Sequence, residues 1–256
     1  MRTLLILALS ASACLADDIV LRDGKRISWK TLSDDGDSYT VETANGQKTT
    51  VKKSDIDRIS IARPDQSVPL TGAAFAFDAK HTATTDLIPK VDLHGGDAWK
   101  AVGRMLTATA SWPTRQTVSF DTDVPDEYDL TAVVERADSG NKDFAVGIVV
   151  GGAQCAFHFD SWDATASSLA LIDGAESEKA PGGVFKQGKP RTVRLMVRKG
   201  GLVVQLDGKD FAKLRPDWSR VTVHSAVHVQ SKSRIFLVAA GGSWKVSTFT
   251  MTTAKS

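Results

Sequence analysis

Gln154, His158, Asp160, Trp162 and Asp163 fall within one stretch and have side chains suited to holding a polar ring. In residues 144–160, Phe144, Val146, Ile148 and Val150 alternate with other residues up to Gly151-Gly152, and Ala153, Cys155, Phe157 and Phe159 return on the same beat. A period of two across a glycine pair predicts a β-hairpin whose aromatic face is turned to a core. Ala145, Gly147 and Val149 then share the opposite face with Gln154, Ala156, His158 and Asp160, so that small residues form a floor and polar tips rise from it. If that face is concave, the tips can bond sugar hydroxyls while Trp162 stacks on the apolar side of a pyranose. The same pattern also fits a solvated face with Trp162 as a loop anchor.

Other chemistries are less well provided. Cleaving a glycoside takes two carboxyls about 5–10 Å apart. Glu42, Glu127, Glu135, Glu176 and Glu178 are the only glutamates, and those in 127 and 176–178 fall in turn-like text. Asp160 and Asp163 with His158 are the carboxylate set a glycosidase would use. The same two aspartates offer oxygen donors for Ca2+, although two carboxylates do not specify that ion. His224 and His228 share a strand face, but four residues of strand hold them about 13 Å apart, too far for one metal. His81 and His94 are isolated, and no nucleophile elbow, His-Glu-x-x-His, phosphate-binding loop or cysteine-rich metal spacing occurs. Cys155, on the apolar face, reads as a buried and inert thiol. No residue is therefore assigned a catalytic or metal-binding role, and no cofactor is expected.

The hairpin over residues 189–211 sets the frame for the rest. Val193, Leu195 and Val197 alternate with Thr192, Arg194 and Arg198, and the beat resumes after Gly200-Gly201 as Leu202, Val204 and Leu206. An even loop puts Val197 and Leu195 opposite Val204 and Leu206 on the buried side and Arg194 opposite Asp207 on the other. Asp207-Gly208 supplies the positive φ for a further turn.

The whole chain, 256 residues with 42% hydrophobic and 24% charged side chains, can bury one sizeable core plus a small module. Residues 1–16 pair Arg2 with an apolar run and small residues, which reads as a secretory signal peptide too short to span a bilayer. Ala11-Ser12-Ala13-Cys14 also resembles a bacterial lipobox lacking its usual Leu, so Cys14 is a candidate lipid anchor of a secreted or periplasmic protein. Without Arg2 the formal charge of +2 falls to +1, and no global field recruits nucleic acid or anionic lipid.

Residues 17–63 show five short strands separated by turns such as Asp23-Gly24 and Asn45-Gly46. The text VLRDGKRI…DSYTVETANGQKTTVKKSDIDRI resembles the small SH3-like or Sm-like β-barrels of secreted bacterial proteins. Its nine basic and nine acidic residues leave no electrostatic footprint for RNA, so a protein-docking or spacer role is expected. Residues 64–85, with two prolines, read as a linker in which Phe75 and Phe77 pack on a neighbour. Over residues 86–252 strands recur about every ten residues without a helical period, which predicts an antiparallel β-sandwich. Trp99, Gly103 and Leu106, then PDEYDL, VRLMVR and LVVQLDGK, ending near Phe249, resemble the concanavalin A-like jelly roll, with laminin-G-type and keto-glycoside hydrolase domains as relatives. The expectation is an all-β protein, a barrel followed by a jelly roll. It would be secreted and bind a glycan or cell-surface polymer without catalysis. A glycoside hydrolase and a structural or docking module are the alternatives.

Overall fold

Alternating side chains and glycine turns produce antiparallel strands throughout the computed structural model, which describes residues 17–29, 31–34, 37–43, 45–60, 69–93, 98–139, 143–170, 179–223, 227, 229 and 231–255. The signal-peptide reading, Cys14, His94, Glu176, Glu178, His224 and His228 lie outside the described residues. The chain divides into two units, Met1–Pro64 and Asp65–Ser256.

In the first unit, β1 (Asp17–Leu21), β2 (Arg26–Trp29) and β6 (Ile56–Ser60) form one three-stranded sheet, in the order β2-β1-β6. The second sheet is β3 (Thr31–Asp34), β4 (Ser38–Glu42) and β5 (Lys48–Lys52) in sequence order. Where five short strands were expected, the chain makes six, and the successive strands β2 and β3 join different sheets. Both sheets contribute to one small cluster around Ile19, Val41 and Val51.

Among the described residues, the second unit is a sandwich of thirteen hydrogen-bonded strands. They are β7 (Thr82–Asp86), β8 (Val91–Asp92), β9 (Trp99–Val102), β10 (Met105–Phe120), β11 (Tyr128–Arg136), β12 (Asp143–Val150), β13 (Ala153–Asp160), β14 (Ala166–Leu169), β15 (Ala180–Pro181), β16 (Arg191–Arg198), β17 (Gly201–Leu206), β18 (Lys209–Leu214) and β19 (Ile235–Ala254). Nine form the path β15-β14-β13-β12-β19-β11-β16-β17-β18, with β7 and β10 branching from β19 and β8 and β9 from β10. Two α-helical turns, α1 (Gly72–Phe75) and α2 (Ser161–Ala164), and the 3-10 turns Ala79–His81, Ile88–Lys90 and Trp218–Arg220 lie between the strands.

The long strand β19 passes from one layer to the other. Residues 235–240 run between β12 and the second half of β10, in the layer that continues through β13, β14 and β15. At Gly241 and Gly242, with φ of +64° and +79°, the strand bends, a conformation that glycine adopts without steric cost. Its later part runs between β11 on one side and the first half of β10, then β7, on the other, in the layer that continues through β16, β17 and β18.

Between the layers lies the core. Phe144, Phe159, Phe185 and Trp244 meet with ring centroids 5.1–5.9 Å apart, and Phe120 meets Phe249 edge to face at 4.7 Å. Such aromatic pairs add stabilisation beyond their buried area. The buried Tyr128 hydroxyl donates to the Val149 carbonyl and accepts from its N–H, at 2.9 and 2.8 Å, tying β11 to β12. Cys155 is fully buried, and burial raises its thiol pKa, which leaves it unreactive.

Both expected hairpins form, with one shift. Gly151 and Gly152, at φ +57° and +79°, join Val150 to Ala153 and put the residues 144–159 in the predicted register. In the other hairpin the turn is Lys199-Gly200, and Gly201 already pairs with Arg198. Arg194 consequently faces Gln205, and its guanidinium pairs with the buried Asp129 at 2.5 Å. Asp207 instead pairs with Arg191 at 2.7 Å and turns the chain with Gly208.

The segment expected as a linker is partly built into the sandwich. Strand β7 pairs with β19, and α1 buries Phe75 against Met196 and Val203. Arg198 anchors it, donating to the Phe75 carbonyl while its guanidinium lies 3.7 Å from the Phe77 ring centroid and 2.9 Å from Asp129. Among the described residues, no helix is long and apolar enough to cross a membrane.

Candidate functional site

The floor expected to receive a ligand is filled by this chain's own side chains. Ala145 and Ala156 are buried under Phe236, Val238 and Val227, with Val223 and Val229 packed alongside. A Cβ on Gly147 would stand 2.1 Å from the Phe236 ring, so glycine here admits an aromatic neighbour and not a sugar. Gln154 braces the covering chain: its Nε2 donates to the carbonyls of Ser231 and Arg234, at 3.1 and 2.6 Å. Arg234 in turn pairs with Asp92 at 2.6 Å and Asp121 at 3.2 Å.

Asp160 is likewise turned inward. Its two oxygens accept from the backbone N–H groups of Val184 and Phe185 at 2.7 and 2.8 Å. Burial raises its pKa, and those two bonds act in the opposite direction. A cation set against this carboxylate would face the same two N–H dipoles, so Asp160 and Asp163 do not fit the Ca2+ reading. Asp160, Asp163 and Ala164 all hold left-handed φ near +57° to +59°, each costing about 1–2 kcal/mol, and Asp163 is exposed. Trp162 belongs to α2, but its side chain lies outside the described residues. Among the described residues no group of three or more His, Cys, Asp and Glu side chains could hold a metal ion.

His158 keeps a different company. Its Nδ1 lies 3.2 and 3.1 Å from the two carboxylate oxygens of Asp143, on the adjacent strand, and both side chains are buried. With Nδ1–H donating to Asp143, Nε2 is left as an acceptor. That atom is buried and has no partner among the described residues. The row continues across the sheet, for Asp143 pairs with Ala240 and Ala240 with Arg115. Ala240 is small enough for Arg115 to extend over it, bringing Nε to 3.9 Å from Asp143 Oδ2. Arg115 Nε and Thr117 Oγ1, on the same face of β10, also lack partners among the described residues.

Beside this cluster the chain displays an aromatic ring. Residues 111–114 leave the ladder between Ala110, paired with Gly242, and Arg115, paired with Ala240. Trp112 sits on this excursion, before a cis bond to Pro113, and is 63% exposed. The Arg115 guanidinium lies 5.9 Å from its ring centroid. The arrangement offers a flat apolar surface, a cation and hydrogen-bonding capacity of both signs within one patch. Sequence reasoning missed Trp112, Arg115, Thr117 and Asp143. Parity could have placed Asp143 on the face of Ala145 and Gly147, but nothing local marks the other three.

A cavity of about 240 Å³ lies in the other layer and is lined by Thr84, Asp86, Ile88, Arg104, Ser247, Thr248 and Thr250. Arg104 and Asp86 close on each other across it at 2.8 Å.

The second unit is thus an all-β antiparallel sandwich bearing an exposed tryptophan beside a buried Asp–His pair. No protein-family model and no curated protein matches the chain. Among solved structures, it overlaps the carbohydrate binding module CBM66 from Bacillus subtilis at 10% identity and a TM-score of 0.45, over 69% of this chain and 99% of that one. The exoplasmic/lumenal domain of VIP36, in its Ca2+/Man3GlcNAc-bound form, overlaps at 10% identity and 0.46, over 68% and 88%. Apo Crh5 transglycosylase overlaps at 11% and 0.47, over 69% and 85%.

Proposed function

We propose that this is a secreted glycan-binding protein without catalytic activity, a small SH3-like barrel followed by a concanavalin A-like sandwich. The observation that carries the reading is Trp112, a large ring held in solvent beside Arg115 and the His158–Asp143 pair. An exposed indole offers a flat apolar surface on which the C–H face of a pyranose can stack. Sugar hydroxyls both donate and accept, which matches the unfilled Arg115 Nε, Thr117 Oγ1 and His158 Nε2 once the patch adjusts to its ligand. Of the residues expected from the sequence, His158 belongs to this site. Gln154 and Asp160 brace the backbone instead, at Ser231 and Arg234 and at Val184 and Phe185.

Binding is favoured over cleavage because the carboxylates near the patch are already engaged. Asp143 is held by His158 and Asp160 by two backbone N–H groups, whereas a glycosidase presents two carboxyls to one glycosidic oxygen. The first unit, with its balanced charge, serves as a docking or spacer module for a protein partner. The test is a glycan array probed with the mature chain, together with assays for sugar release from glycosides. Binding without release is expected. Release of sugar would replace the reading with hydrolysis, and neither binding nor release would leave a structural module.

A further inference from the structure

Resting on that reading, we propose that the sugar bound at Trp112 is acidic, a uronic acid residue whose carboxylate is taken by the terminal nitrogens of Arg115. Arg115 emerges from β10 immediately after the excursion that carries Trp112, so ring and cation are fixed to each other by three residues of backbone. Its Nε side faces Asp143 at 3.9 Å, beyond hydrogen-bonding distance, while both oxygens of Asp143 are within reach of His158 Nδ1. Asp143 therefore orients the guanidinium without occupying its fork. Among the described residues no acceptor meets the two terminal nitrogens, and the side chain is 19% exposed. A guanidinium that is largely buried, oriented on one edge and unpaired on the other is preorganised for one planar anion.

Carboxylate is the anion that suits this fork, because its two oxygens match two parallel N–H groups in one plane. On a uronic acid the carboxylate sits on the ring's edge, next to the face that would lie on Trp112. One residue can thus satisfy both groups at once. A neutral sugar uses only the ring and leaves the fork to water, whereas a sulfate ester meets the charge without the planar match.

The experiment measures affinity of the full mature chain for polygalacturonate, alginate and hyaluronan, each beside its carboxyl-reduced form, and for dextran sulfate beside dextran. At least one uronate polymer should bind about tenfold or more tightly than its reduced form, a difference of about 1.4 kcal/mol. The preference should weaken with added salt. Arg115→Gln should erase the difference, and Arg115→Lys, which keeps the charge but not the fork, should restore only part of it. Circular dichroism and thermal melting of both variants establish that they fold. Equal affinity for acid and reduced forms, a preference that survives Arg115→Gln, or dextran sulfate binding as tightly as the best uronate would overturn the proposal. If a neutral glycan binds through Trp112 and no uronate is preferred, this inference fails while the glycan-binding reading stands. If nothing binds, both fail.

Discussion

His158 Nδ1 lies within 3.1–3.2 Å of both carboxylate oxygens of Asp143, and the two buried side chains come from adjacent strands of one hairpin. A buried donor whose acceptor is removed bears the full cost of its lost solvation.

Asp143→Ala should therefore destabilise the sandwich by about 1–3 kcal/mol, because the buried Nδ1–H of His158 loses its acceptor. Asp143→Asn retains a carbonyl oxygen for Nδ1–H and should cost less. Urea unfolding reads both, and an Asp143→Ala variant as stable as the parent would show that the pair is not held as described.

Trp112→Ala should weaken glycan binding about tenfold or more, as expected for loss of an aromatic stacking surface. The thermal midpoint should hardly move, because the ring is mostly in solvent. A large fall in the midpoint with unchanged affinity would mark Trp112 as a structural anchor.

Asp160 gives the fold a pH dependence whose direction follows from its raised pKa, chiefly an effect of burial. Its protonated form is favoured by folding, so its contribution is complete below the ordinary value of 3.8 and is lost as pH rises through the raised folded value. Asp160→Asn should remove that slope. It should also cost about 1–3 kcal/mol, since one of the Val184 and Phe185 N–H groups loses its acceptor. An unaltered slope in the variant would assign the dependence to other groups.

Gly147→Ala should lower stability by about 1–3 kcal/mol, because its methyl group would overlap the Phe236 ring. Differential scanning calorimetry tests this. A neutral result would mean that Phe236 can withdraw and that the floor of the hairpin opens as the sequence suggested.

Which side of each strand is apolar, and where the chain turns, can be read locally. Phe144 and Cys155 face the core as their spacing requires, Gly151-Gly152 and Asp207-Gly208 turn where expected, and Trp99 and Leu106 are buried at the start of the sandwich. A strand's period of two assigns faces residue by residue, without knowledge of any other strand. It says nothing of which strand lies alongside or what rests on top. Arg194 was matched to Asp207 along one hairpin, but its partner Asp129 comes from β11, the strand on the other side. The floor of Ala145, Gly147 and Ala156 was legible, and its cover of Phe236, Val238 and Val227 was not, because those residues come from some seventy or more positions later in the chain. Arg115 and Asp143 meet for the same reason: residues 235–240 of β19 run between β10 and β12 and place only the small Ala240 between them. Side-chain alternation follows from local backbone geometry, whereas the site depends on strand order, which the packing of the whole chain decides.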